Sequence, residues 1–383
     1  MKYLWPPLTG LSAVASYLIY NKFFDMATAG EKSVSGSSST GPQTDELTRP
    51  LFKDGCFYNP WKTWRDPKLT NLFKFIVTEK DNSNIPGEKE LDIHLPIIQP
   101  DLTEFDRPVL TGVKTMWIGH ASVLVKFDDI TVLTDPVFSE RCSIVSFAGP
   151  KRYRRVPCQI KDLPKIDAVV ISHNHYDHLD LSSVKELNQK FGKDLRWYVP
   201  QGMKKWMSDS GCENVEEMTW WEEQQFPGKP DVKFVSTPAQ HWSKRGVTDT
   251  NKALWGGWAV IGPKHSFYFA GDTGYCEGFK EIGEKYGPFT LAAIPIGAYE
   301  PRWFMCPQHV DPVEAVDIHL DIKAEHSLGI HWGTFKLTYE PYMEPKEKLE
   351  EELKKRSISL DEFITLKHGE IKTVGYDEYS QMD

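Results

Sequence analysis

The feature that most constrains the fold of this chain is a run of metal-binding residue types directly after a short apolar stretch. Residues 168–171 read AVVI, and residues 173–180 read HNHYDHLD. A β-branched stretch of this kind predicts a buried strand, and imidazoles and carboxylates crowded past its end need compensation for burial. A cation is the simplest compensation, and this spacing allows one loop to bind two adjacent ions. The sequence therefore predicts a binuclear metal site beyond this strand.

The order of these residues resembles the His-x-His-x-Asp-His motif of the metallo-β-lactamase superfamily. Three further segments, PAQHW at 238–242, GDTGY at 271–275 and GIHWG at 329–333, supply the other ligands that the resemblance implies. The implied ligands of one ion are His173, His175 and His241. Those of the other ion are Asp177, His178 and His331, with Asp272 shared between both. Each ligand is expected just beyond a strand, at one edge of a sheet.

Longer segments narrow the resemblance to the N-acylphosphatidylethanolamine-hydrolysing phospholipase D family. It covers roughly residues 55–375, and the most specific segment is AIPIGAYEPRWFM at 293–305. Shorter matching segments are WIGHA at 117–121, LTDP at 133–136, GPKR at 149–152 and WWEE at 220–223. The resemblance implies an α/β fold, an αββα sandwich of two mixed sheets with helices outside, and two zinc ions at one edge. Iron and manganese are also compatible with this ligand set.

The resemblance also implies a reaction, namely zinc-dependent hydrolysis of N-acylphosphatidylethanolamine to N-acylethanolamine and phosphatidic acid at a membrane surface. The expected nucleophile is a hydroxide shared by two metals and positioned by Asp177 and Asp272. Asp135 is expected to hold a ligand imidazole in one tautomer. His309 is expected to assist near the substrate phosphate, with a loop histidine bonded to a backbone carbonyl as the alternative. His120 lies outside the metal pattern, and a structural role is expected for it.

The expected binding partners and location of the protein are inferred partly from the resemblance and partly from the net charge of the chain. The resemblance implies a homodimer, a bile-acid-like amphiphile as a ligand, and a location on Golgi, endoplasmic reticulum or endosomal membranes. The net charge of −9, without a concentrated basic stripe, argues against nucleic acid as a substrate. Two other function classes stay open. One is a soluble hydrolase of lactones or thioesters, and the other is a non-enzymatic lipid-binding protein, against which the complete ligand set argues.

The amino-terminal part of the chain differs from the rest. Residues 1–29 form an apolar segment, but its apolar core at 8–20 is shorter than the roughly twenty residues that a spanning helix needs. A membrane anchor, an interfacial segment, a cleaved secretory signal and an uninformative tail all stay open. Residues 30–50 are predicted to be a flexible linker because of their Ser and Gly content. A single catalytic domain is expected over residues 51–383.

Within that domain, short β-rich runs alternate with helical ones, and no internal repeat is evident. The predicted strands are 113–119, 122–127, 130–134, 167–172, 195–199, 232–236, 257–261, 266–270 and 291–296. The predicted helices are 183–191, 202–210, 278–286, 312–320 and 345–356.

Residues 59–77 combine Trp and Phe with Lys and Arg, which is typical of interfacial helices. Trp61, Trp64 and Phe73 are therefore candidates for membrane contact, and packing of this segment on the sandwich is the equally weighted alternative. Tyr176 and Trp206 are candidates for contact with the lipid substrate. A core position is the alternative for Trp206.

Overall fold

Two seven-stranded β-sheets form the centre of the protein in the computed structural model, which describes residues 47–66, 69–145 and 147–375. In chain order the strands are β1 (Leu51–Lys53), β2 (Cys56–Tyr58), β3 (Val113–Gly119), β4 (Ser122–Phe127), β5 (Ile130–Thr134), β6 (Ala168–Val170), β7 (Arg196–Pro200), β8 (Asn214–Met218), β9 (Glu223–Phe226), β10 (Lys229–Thr237), β11 (Gly257–Ile261), β12 (Ser266–Phe269), β13 (Leu291–Pro295), β14 (Ser327–Ile330), β15 (Phe363–Ile364) and β16 (Ile371–Val374).

Both large sheets are mixed. The first has the strand order β16-β3-β4-β5-β6-β7-β8, and the second has the order β15-β14-β13-β12-β11-β10-β9, while β1 and β2 form a separate hairpin. Strands β5 to β8 run parallel to one another, as do strands β12 to β15, and the other neighbours are antiparallel. Each sheet thus joins an antiparallel half to a parallel half that needs crossover connections.

Helices provide most of those crossovers. The α-helices of the described residues are α1 (Leu69–Thr78), α2 (Glu88–His94), α3 (Leu181–Phe191), α4 (Lys204–Asp209), α5 (Gly278–Tyr286), α6 (Arg302–Met305), α7 (Pro312–Asp321) and α8 (Glu344–Lys355). The first two precede β3, and the crossovers use α3 to α8. Local sequence explains where two of them begin. Asp180 accepts a hydrogen bond from the Ser182 amide at the start of α3. At the start of α7, Asp311 accepts one from the Glu314 amide, and the Glu314 side chain accepts one from the Asp311 amide, so these two residues form a capping box, with Pro312 at the first helical position.

The layers follow from the side chains of each strand, which point alternately to the two faces of its sheet. In β4, Val123 and Val125 belong to the core between the sheets, whereas Leu124 belongs to a second core that includes Leu187 of α3. Strands with both faces buried have near-continuous apolar sequences, as β4 to β6 do. The sheets face each other directly, since the ring of Tyr198 in β7 stacks on Phe234 in β10 at 4.0 Å between centroids. The predicted αββα sandwich is confirmed.

The amino-terminal predictions concern residues that are largely undescribed. Residues 1–46 lie outside the described part of the chain, so the apolar segment and most of the linker stay predictions. Across residues 47–66, 69–145 and 147–375, the helices are all too short or too polar to cross a bilayer.

Candidate metal centre

The loops that follow strands β3, β5, β6, β10, β12 and β14 meet at one edge of the sandwich. Each of these loops begins at the carboxyl end of its strand, so their side chains converge although they lie far apart in sequence. All seven predicted metal ligands are at most 7% exposed. These residues are His173, His175, Asp177, His178, His241, Asp272 and His331. Burial of so many titratable groups in one place requires compensating charge.

One group of imidazoles contains the ligands expected for the first ion. The Nε2 atom of His173 lies 2.8 Å from Nδ1 of His175, and Nε2 of His241 lies 3.3 Å from the same His175 atom. Together these three residues form a cluster whose ring nitrogens can reach a single ion. The structure therefore brings His173, His175 and His241 together as the sequence motif predicted.

A second group contains the ligands expected for the other ion. The Nε2 atoms of His178 and His331 lie 3.2 Å apart, and Asp177 Oδ2 lies 3.4 Å from the first and 3.6 Å from the second. Asp272 contacts this group through both oxygens, with Oδ2 3.1 Å from His178 Nε2 and Oδ1 3.1 Å from His331 Nε2. Its Oδ2 atom also lies 3.9 Å from Nε2 of His241 in the first group. Asp272 thus lies between the two groups, as a shared ligand must.

The pKa values of the first group favour the ligating form of histidine. Burial lowers the pKa of His175 to about 3 and that of His241 to about 4, and it holds the pKa of His173 well below its ordinary value. Neutral imidazole is the form that binds metals. At neutral pH these three side chains are therefore ready to act as ligands without losing a proton.

The second group carries charge. Burial alone would raise the pKa of Asp177 and Asp272, but the neighbouring histidines, of which His178 contributes most, together outweigh it, and both pKa values stay well below the ordinary range. Burial opposes protonation of His331, yet Asp272 and Asp177 raise its pKa to about 9. The two carboxylates are therefore ionised at neutral pH, and they attract positive charge to this position.

The donor set fits metal ions. Pairs of ring nitrogens face each other at hydrogen-bonding distance, although each such pair can share at most one proton. The Nε2 atom of His175 is buried and has no hydrogen-bond partner among the described residues. Imidazole and carboxylate donors without a thiolate suit zinc, iron or manganese. The observed cluster is therefore a candidate binuclear site for such ions.

Asp135 lies behind the second group, where the sequence placed it. Its Oδ2 atom accepts from Nδ1 of His178 at 2.6 Å, and its carboxylate also accepts from the amide and the hydroxyl of Ser172 at 2.7 and 2.5 Å. These bonds connect the loop after β5 to the loop after β6. Asp135 can therefore fix both the orientation and the tautomer of His178.

His120 is a site residue that the sequence pattern missed. Its Nε2 atom lies 3.1 Å from Asp177 Oδ2, and its ring centroid lies 4.1 Å from that of His331. It belongs to the group of donor atoms formed with Asp177, His178 and His331. The motif left His120 outside the ligand set, yet the structure places it within the cluster, and its expected structural role stays a prediction. The available signal was its position directly after β3, which matches that of the ligands after their strands.

His309 borders the cavity over the cluster. Its Nδ1 atom is buried, lies 3.9 Å from Asp272 Oδ2 and has no hydrogen-bond partner among the described residues. The neighbouring Gln308, which the sequence did not single out, accepts from Nδ1 of His241 through its backbone oxygen at 3.0 Å. Gln308 therefore fixes the His241 tautomer, and His309 presents a free ring nitrogen to the site.

The cavity above the cluster is small and has a largely apolar wall. Its volume is about 60 Å³. Its lining includes His175, Asp177, His241 and Asp272 of the cluster, and the apolar side chains Ala298, Met305 and Leu337. A charged group can bind at the base of this cavity while an apolar chain contacts the wall.

Tyr176 and Trp206 lie at a different, larger cavity. Its volume is about 530 Å³, and its lining includes both aromatic residues and Arg245. The guanidinium carbon of Arg245 lies 4.2 Å from the Tyr176 ring centroid and 4.7 Å from that of Trp206. Trp206 is only partly buried against the core, and substrate contact by Tyr176 and Trp206 stays a prediction.

Residues 59–77 were expected either to contact a membrane or to pack on the sandwich, and Trp61 packs on the sandwich. Trp61 is buried, stacks on Trp220 at 5.9 Å between centroids and donates to the Ala239 carbonyl at 3.1 Å. Its assignment to membrane contact was therefore wrong, because tertiary packing uses its apolar ring in the core. Trp64 is partly buried against the same core. Phe73 lies in α1, but its side chain is outside the described part of the structure.

The fold and the His/Asp cluster together define a metallo-hydrolase of the metallo-β-lactamase class. A family model for the β-lactamase superfamily domain matches residues 131–332. The chain is 45% identical over 349 residues to N-acyl-phosphatidylethanolamine-hydrolyzing phospholipase D 1 of Caenorhabditis elegans, covering 88% of this chain and 97% of that protein. It is 36% identical to the mitochondrial N-acyl-phosphatidylethanolamine-hydrolyzing phospholipase D of Saccharomyces cerevisiae, covering 79% of this chain and 72% of that one.

The chain therefore belongs to the N-acylphosphatidylethanolamine-hydrolysing phospholipase D family. Solved structures share its fold at lower identity. Igni18, a metallo-hydrolase from Ignicoccus hospitalis, aligns with a TM-score of 0.53 and 22% identity over 70% of this chain and 100% of its own. An isothiocyanate hydrolase from Delia radicum gut bacteria aligns with a TM-score of 0.53 and 17% identity over 69% of this chain and 100% of its own.

Proposed function

We propose that this protein is a zinc-dependent phospholipase D that hydrolyses N-acylphosphatidylethanolamine to N-acylethanolamine and phosphatidic acid. The observation that carries the proposal is the position of Asp272. Its carboxylate lies 3.1 Å from the His178 and His331 imidazoles of one group and 3.9 Å from His241 of the other. A shared carboxylate of this kind is what a two-metal hydrolase needs, and the chain belongs to a family named for phospholipase D activity on N-acylphosphatidylethanolamine.

The cluster divides into two sets of ligands. His173, His175 and His241 would hold one ion, and Asp177, His178 and His331 would hold the other, with Asp272 common to both. When bound, a pair of ions supplies a hydroxide nucleophile at neutral pH and neutralises charge on phosphoryl oxygens. His120, which also contacts Asp177, would restrict the position of that carboxylate.

The residues of the chain orient the reactants. Asp177 and Asp272 are ionised acceptors, so each can position a water molecule by accepting its hydrogens. The buried Nδ1 atom of His309 lies close to Asp272 and has no hydrogen-bond partner among the described residues, so in its protonated tautomer it can donate to a phosphate oxygen bound at the cluster. The apolar wall of the cavity then excludes bulk water from the reacting phosphorus.

Turnover in isotopically labelled water tests the proposal. The purified protein in detergent micelles is supplied with N-acylphosphatidylethanolamine, a simple lactone or a thioester, and products are measured by mass spectrometry in ¹⁸O-water. The proposal predicts one ¹⁸O atom in phosphatidic acid and none in N-acylethanolamine, because water attacks phosphorus and the alkoxide leaves. Turnover of only the lactone or the thioester would overturn it and favour a soluble hydrolase.

The remaining partners of the protein are part of the same proposal. A phospholipid substrate requires access to a membrane surface, and Trp303 and Val77 are exposed side chains near α1 and α6 that can meet one. We expect an intracellular membrane location, a homodimer and binding of a bile-acid-like amphiphile. Sedimentation with phospholipid vesicles, analytical ultracentrifugation and titration with a bile acid test these three expectations separately.

A further inference from the structure

We propose that Arg302 is a positioning residue that holds His309 beside the metal centre. The inference rests on the proposed function, in which His309 meets the substrate phosphate. Arg302 opens α6, whereas His309 lies in the connection from α6 to α7. The side chain of Arg302 spans this connection and binds its far end.

All three guanidinium nitrogens of Arg302 have partners there. Nη1 donates to the His309 carbonyl at 2.8 Å. Nε lies 3.2 Å from Asp311 Oδ2, and Nη2 donates to Glu314 Oε2 at 2.7 Å. Asp311 and Glu314 form the capping box of α7. One planar side chain thus fixes the His309 backbone and the start of the following helix.

The backbone around His309 is restrained on its other sides as well. The His309 amide donates to the Met305 carbonyl at 2.9 Å, and the Val310 amide donates to the Thr273 carbonyl at 2.8 Å, next to Asp272. Arg302 supplies the remaining restraint, because it binds the only His309 backbone group that those two bonds leave out. The connection is therefore tied to α6, to the loop after β12 and to α7.

The His309 ring itself has weak anchoring. Its Nδ1 atom has no hydrogen-bond partner among the described residues, and its centroid lies 5.2 Å from the His241 ring and 5.4 Å from the His331 ring. A ring placed by packing follows its own backbone when that backbone moves. The position of the His309 ring relative to the metal centre therefore depends on the contact from Arg302.

The first test measures the connection directly by hydrogen exchange. In Arg302→Met, amides of residues 306–311 should exchange at least about tenfold faster than in the wild type, because the opening of this segment costs less free energy. Arg356→Met is the matched control, since Arg356 also pairs with a carboxylate of α7, that of Asp317, and lies outside the connection. Unchanged exchange in residues 306–311 would overturn the proposal. Arg302→Lys serves if Arg302→Met fails to fold.

The second test is a double-mutant cycle on turnover. Arg302→Met should lower kcat about 10- to 100-fold and leave KM within about twofold, as expected for a residue that orients a reacting group. In a His309→Ala background the same change should cost less than about twofold, because its effect passes through His309. If Arg302→Met lowers kcat by the same factor in the His309→Ala background as in the wild type, the proposal is overturned. If the wild type does not hydrolyse N-acylphosphatidylethanolamine, the proposed function fails, and the exchange comparison alone decides the role of Arg302.

Discussion

The imidazole of His178 donates from Nδ1 to the carboxylate of Asp135 over 2.6 Å, so the Nδ1 proton points away from the metal cluster. Its other nitrogen, Nε2, is left facing His331 and Asp272. A carboxylate that orients a ligand imidazole also makes it a better donor to metal. The pairing of these two residues therefore links a structural contact in the core to the chemistry of the site.

Replacing Asp135 tests that link. Asp135→Asn should lower metal affinity or turnover about 10- to 100-fold, because the amide no longer fixes the His178 tautomer. Competition with a chelator followed by metal analysis measures the affinity. Asp209→Asn, which removes an exposed carboxylate paired with Lys205, is the control. Metal retention equal to the wild type in Asp135→Asn would show that the contact is only structural.

His120 gives a second prediction, because its ring contacts Asp177 although the motif does not include it. His120→Gln should reduce turnover about tenfold or more by releasing the Asp177 carboxylate, with little change in the circular dichroism spectrum. His326→Gln, at a half-buried histidine outside the metal cluster, should leave turnover unchanged. Wild-type turnover in His120→Gln would return His120 to a purely structural role.

The ligands themselves give a third prediction. His173→Ala and Asp272→Asn should each abolish turnover while the fold is retained, because each change removes a metal donor from a preformed site. Circular dichroism and metal analysis on the same samples distinguish lost metal from lost structure. Unfolding of both variants, or full turnover in either, would count against the assignment.

A fourth prediction concerns stability and pH at the turn after β4. The Asp128 carboxylate accepts from His265 Nδ1 and from the amides of Lys264 and His265, each at 2.8 Å, and so ties a hairpin of one sheet to a hairpin of the other. Burial alone would raise the pKa of Asp128, but the bonds from His265 and Lys264 lower it below 3.8. Because the folded pKa is depressed, the stabilisation is present above about pH 4 and is lost as the pH falls further.

Asp128→Asn should therefore lower the free energy of unfolding at pH 7 by on the order of 1 kcal/mol. The difference in melting temperature from the wild type should shrink below about pH 4, where the wild-type carboxyl also becomes neutral. Asp129→Asn, at the adjacent exposed position, is the control. A difference that stays constant from pH 3 to pH 7 would contradict this explanation.

Most of the sandwich could be predicted because its strands carry strong local signals. Runs such as Val113–Gly119 and Gly257–Ile261 are β-rich, end at turn residues and have the predicted bounds. The edge strand Glu223–Phe226 escaped prediction because one side of it faces solvent and its residues are mostly polar. Strand β14, Ser327–Ile330, is short and contains a glycine, so its sequence signal is weak.

The site was predictable where the motif specified it and less so elsewhere. The seven ligands converge because each follows a strand end, and a predicted strand precedes all of them except His331. The contacts of His120 with Asp177 and of Gln308 with His241 depend on tertiary packing between separate loops. Trp61 is the opposite case, because the sequence made it a candidate for membrane contact and the structure places it in the core. An aromatic residue beside basic ones matches an interfacial helix as well as a core position.

The most direct test of the central claim is the metal content of the purified protein, measured by mass spectrometry on samples that are also assayed for phospholipid turnover. We predict two zinc ions per chain in the wild type, and fewer than two in Asp272→Asn together with the loss of turnover. A wild-type protein that hydrolyses N-acylphosphatidylethanolamine after complete removal of metal would contradict the account.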